Sequence, residues 1–144
     1  MRLVLLVAAA AFLVLGWKTL DRRSMDREFS RLAARNPSGF VSVVMPGEWD
    51  PNTVWVLAPV NCPSDAALRA EHLVLALKSE GIPAAQVNHV MVQVTDADDA
   101  TTAALQRLDR ILKGAVPAVL VNGMGKANPT ADEVIREFRR QKPS

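Results

Sequence analysis

The chain has 144 residues, enough for one domain and an attachment segment, and its 49% hydrophobic content supports a packed core and argues against disorder. Tyr is absent and Cys occurs once, which leaves little for an aromatic nucleic-acid platform and excludes an intramolecular disulfide or a Cys-rich zinc site. Charge is uneven: residues 18–35 carry six basic and three acidic side chains, whereas residues 36–144 carry ten basic and twelve acidic ones. The pI of 9.0 therefore does not describe the main domain, and nucleic acid is not the expected partner.

In chain order, the first feature is the unbroken apolar run "LVLLVAAAAFLVLGW", residues 3–17, flanked by Arg2 and Lys18. As a helix it would span about 22 Å, short of the roughly 30 Å hydrocarbon core. Adding residues 18–20 brings it to the lower limit for a crossing, with Trp17 at the interface. A cleaved signal segment would need Val14 and Gly16 as its small-residue pair, a poor match, so an uncleaved membrane anchor is the expectation. Counted literally, the positive charge after the run holds the domain in the cytoplasm. The acidic Asp21, Asp26 and Glu28 dilute that charge, and the extracytoplasmic side of a bacterial-type envelope is the expected location.

Residues 21–39 read as a basic amphipathic helical stalk ending at "NPSG". Leu20, Met25, Phe29 and Leu32 fall near one face, and Arg23, Arg27, Arg31 and Arg35 recur every four residues. That arginine row suits anionic lipid headgroups or is a solvated face.

Residues 40–144 read as the folded domain. "FVSVVM" (40–45) has strand composition, "PGEWDPN" (46–52) is a turn-rich loop, and "TVWVLAP" (53–59) resembles a buried strand. A helix is predicted from Pro63 to about Ser79, stopped by Gly81, with Pro63 in its first position. "HVMVQVT" (89–95) alternates like a strand. "DADDATTAALQRLDRILKG" reads as a helix with an acidic start and Leu105, Leu108, Ile111 and Leu112 as its stripe. "PAVLVNG" (117–123) reads as a strand entering an Asn-Gly hairpin turn, and Thr130 and Glu133 stand at capping-box spacing before the last helix. Alternation implies parallel strands and the hairpin an antiparallel edge, hence an α/β mixed sheet of four to five strands with flanking helices.

Over roughly residues 53–140, "VWVLAPVNCPSD", a helix, "GIPAAQV", and "GAVPAVLVNG" resemble the thioredoxin-like superfamily, nearest its thioredoxin and glutaredoxin branches. The fold class expected is thus a thioredoxin-like sheet preceded by an N-terminal membrane helix (residues 1–20). The resemblance implies that Cys62 is the nucleophile and that Val116-Pro117 carries a cis bond and shapes the substrate groove with Pro63. Asp65 stands where the family has its second cysteine, Asn61 replaces an aromatic residue, and the glutathione-binding glycine pair is missing. A dithiol cycle within one chain is therefore excluded, and no cofactor or metal is expected.

A cysteine in the first turn of a helix has its thiolate stabilised by free N–H groups, its pKa falling from about 8.5 towards roughly 3.5–7.5. Asp65 opposes this by repulsion and by competing for the same N–H groups. Two functions remain open: a monothiol that exchanges with a protein thiol or disulfide partner through Cys62, or a non-catalytic binding or scaffold module of a membrane assembly. His72 and His89 are expected at the surface, and Asp96, Asp98 and Asp99 as helix N-terminal charge, since a calcium loop would also need a central Gly and a distal Glu.

Overall fold

The computed structural model describes residues 23–60 and 63–141. Helix α1 covers residues 23–35. It is followed by β1 (Val41–Ser42), β2 (Val54–Leu57), α2 (Asp65–Ser79), β3 (Ala84–Val87), α3 (Asp99–Leu112), β4 (Ala118–Val121), β5 (Met124–Ala127) and α4 (Ala131–Gln141). The five strands form one sheet in the order β1-β5-β4-β2-β3. Only β2 and β3 are parallel, and the crossover that parallel neighbours require is α2. The β4–β5 hairpin turns at Asn122 (φ 42°) and Gly123 (φ 77°), the left-handed pair that an Asn-Gly turn supplies.

The central strands carry apolar residues on both faces. In β4, Val119 and Val121 point to one core and Ala118 and Leu120 to the other, as the two-residue period requires. The first core joins the sheet to α2 and α4 through Ala70, Leu73, Val74, Leu77, Val134 and Phe138. Burial of each Leu, Val or Phe there contributes about 1.5–3 kcal/mol. The second core joins the other face to α3 through Leu108 and Ile111, with Phe29, Leu32 and Ala33 of α1 partly buried against it. Gly125 lets that face close: a Cβ there would lie 2.9 Å from Leu120 and 3.0 Å from Ile111. The loop before β2 is pinned by Trp49 stacked on Trp55 at 4.6 Å and by the Trp55 indole N–H donating to the Asp50 carbonyl.

Several expectations are corrected. The expected fold class had four to five strands behind an N-terminal membrane helix; the sheet has five, and no helix of the described residues is long and apolar enough to cross a membrane. Residues 1–20, where the sequence places that helix, lie outside the described residues. The strand expected at 89–95 forms instead at Ala84–Val87. Val90 and Val92 do alternate inward against the second core, with Met91 72% exposed between them, but the segment finds no neighbouring ladder. The strand expected over 40–45 shortens to Val41–Ser42. In α3, Leu108 and Ile111 are buried while Leu112 is exposed.

Candidate functional site

Helix α2 begins one turn's fraction later than its sequence suggests. Ser64 is the N-cap, with extended backbone and a side-chain oxygen accepting from the Ala67 N–H at 3.3 Å. Pro63 therefore stands before the cap and is exposed, and Asp65 is the first helical residue. The correction has a simple cause: a serine hydroxyl satisfies a free N–H of the first turn, which proline cannot do. Asp65 is exposed and favourable next to the positive helix end. Cys62, the expected nucleophile, and Asn61 lie outside the described residues.

The second half of the site is the turn entering β4. The Val116-Pro117 peptide is cis. Pro117 is buried, its carbonyl accepting from the Asn128 N–H at 2.7 Å, while Val116 is half-buried against the first core. The Arg69 guanidinium, one turn into α2, donates to the Val116 carbonyl at 3.2 Å. The structure thus brings the start of α2 and the Val116–Pro117 turn together, with Arg69 as the tie. Sequence reasoning missed Arg69; its only signal was a position four residues after Asp65, on the same helix face.

Beside this turn is a cleft of about 280 Å³ whose walls include Leu57, Pro59, His89, Ala115 and Val116. It opens at the carboxyl ends of the parallel strands β2 and β3, where α/β sheets commonly bind ligands. Among the described residues no carboxylate, lysine or arginine lines it, and the polar groups they supply are backbone, Asn88 and His89. Asn88 Oδ1 lies 2.5 Å from His89 Nδ1, and Gln86 donates to the Pro59 carbonyl at 3.0 Å, holding the chain just after β2. His72 is exposed on α2, away from the cleft. A larger cleft, about 630 Å³, lies elsewhere, between α1 and α3.

The acidic stretch before α3 has a structural use. Asp98 is the N-cap, accepting from the Thr101 N–H at 2.7 Å, and its bonds to Thr101 hold its carboxyl below the usual range. Among the described residues no three His, Cys, Asp or Glu side chains are grouped to hold a metal.

A second group missed from the sequence is Glu137 in α4, fully buried. Burial works to raise its pKa, but bonds from Arg140 (2.5 Å), Gln141 (2.6 Å) and Asn36 (2.9 Å) prevail and hold it below the ordinary value. A Glu in a run of charged residues, "DEVIREFRR", reads as solvated; the run does not show the bond it receives from Asn36, just after α1.

The sheet order and the cis turn are compatible with the expected thioredoxin-like fold. Searches of protein-family models, curated proteins and solved structures find no match to this chain.

Proposed function

We propose that residues 53–140 are a thioredoxin-like domain acting as a monothiol in thiol–disulfide exchange through Cys62. The observation that carries this reading is the meeting of the α2 start with the Val116–Pro117 turn, tied by Arg69, at the carboxyl ends of β2 and β3. In the sequence Cys62 precedes Asp65, the first residue of α2, by three positions. In the reaction, the Cys62 thiolate attacks a disulfide of a partner protein. A new S–S bond joins Cys62 to one partner sulfur, and the other leaves as a thiolate and takes up a proton. A second thiol, from the partner or a small molecule, then attacks the mixed disulfide and releases Cys62 as its thiolate. The cleft beside Val116 supplies backbone and apolar surface for an extended segment of the partner.

One observation favours the alternative, a non-catalytic binding module. Ser64, not the cysteine or Pro63, caps α2, and Asp65 fills its first position, so the positive end of the helix already has a hydroxyl and a carboxylate. The alkylation rate of Cys62 against pH, on the full chain with Cys62→Ser as blank, separates the two. A midpoint below about 7, with a mixed disulfide formed on a model disulfide, supports exchange chemistry. A midpoint at or above about 8.5 refutes it and leaves the binding module.

A further inference from the structure

Helix α1 is held in a defined rotation. Arg110 of α3 forms an ion pair with Asp26 and lies 4.8 Å from the Phe29 ring centroid, while Leu32 and Ala33 pack on the second core. These contacts occupy one side of the helix. At 100° per residue, Arg23, Arg27, Arg31 and Arg35 spread over about 120° on the opposite side and along about 18 Å of axis. All four are exposed, and none has an ion pair among the described residues. No acidic residue falls inside the row: Asp26 is turned to α3, and Glu28 sits at the edge nearest Leu32. Past its end, Arg35 lines one shallow cleft with Asn36, Ser42 and Arg140, the last paired with Glu137.

We propose that this face of α1 docks on an anionic phospholipid surface. The row is a convex ridge of evenly spaced guanidinium groups, suited to a flat array of phosphates and not to enclosing one ligand. The one aromatic residue of α1, Phe29, is turned to Arg110 of α3 and away from the arginines, and the chain after residue 35 is net acidic, neither of which fits nucleic acid. In the sequence the row follows the apolar stretch 3–17 with Lys18 and Arg22 between, which places apolar and basic material side by side. Phospholipid surfaces attract that combination.

The test is co-sedimentation of the full chain with vesicles of phosphatidylcholine alone and with 30% phosphatidylserine. Binding to neutral vesicles is the baseline for the apolar stretch, and the anionic-over-neutral ratio is the readout. Each basic residue at such a surface contributes roughly fivefold, so R27A/R31A lowers the ratio by about 25-fold. The comparison variant, K78A/R136A, removes the same charge from exposed positions on α2 and α4, on the other face of the sheet, and leaves the ratio nearly unchanged. Equal losses from both pairs would mean that net charge alone acts, and would overturn the proposal. So would a ratio near one, or stripe-dependent binding to duplex DNA without binding to anionic vesicles. Should R27A/R31A fail to fold, salt decides on the wild-type chain: the ratio falls steeply between 50 and 300 mM salt, and a flat profile overturns the proposal.

Discussion

Replacing Glu137 with Gln tests whether a buried carboxylate fastens the start of the domain to its last helix. Asn36 and the Arg140 Nε donate to one carboxylate oxygen, the Arg140 Nη2 and Gln141 to the other. Whichever way the Gln amide turns, two donors on one side lose their acceptor and face another donor. One part-buried donor left unmatched costs about 1–3 kcal/mol. Arg140 is half-exposed and can turn to water, so its lost pairing adds less than about 1 kcal/mol. The expected loss is about 2–3 kcal/mol at pH 7, or about 6–12 °C in Tm for a chain of this size. The pH dependence is the sharper part. The folded-state pKa of Glu137 is depressed, so its contribution is full above the unfolded value of about 4.3 and is lost as pH falls through the folded one. Urea unfolding of wild type and E137Q, followed by circular dichroism from pH 7 to pH 3, should show a gap that is constant down to about pH 4.5 and closes below it. A gap under about 0.5 kcal/mol at pH 7, or one that persists unchanged at pH 3, would refute the reasoning.

Two further perturbations probe the frame around the site. Ser64→Ala removes the cap of α2 and should cost about 1 kcal/mol in urea unfolding, whereas Ser64→Asp should retain most of it; equal losses would show that the hydroxyl is not the cap. Gly125→Ala puts a methyl group within 3.0 Å of Leu120 and Ile111 and should destabilise by about 1–3 kcal/mol, again by urea midpoint; a neutral result would mean that the second core yields more readily than its packing indicates.

Local chemistry was legible in the sequence wherever neighbours in the chain set the outcome. The Asn122-Gly123 turn, the reciprocal Thr130–Glu133 cap, the stop of α2 at Gly81 and the buried run of β4 all depend on residues within a turn or a strand. So does the α/β class, since alternating helices and strands admit few ways to bury their faces. Tertiary structure decided the rest, because burial and register are properties of contacts that the chain makes over long separations. The alternation at 89–95 predicts a strand that does not form, because a strand needs a ladder partner and β2 offers its free edge to Ala84–Val87 instead. Arg69 reaches a carbonyl 47 residues away, and Glu137 is sealed by a residue 101 positions away. The single cysteine stands three positions before α2 in the sequence, but only the fold brings the Val116–Pro117 turn to the start of that helix. An energy of a few kcal/mol that arises between distant segments leaves no periodic trace in the sequence.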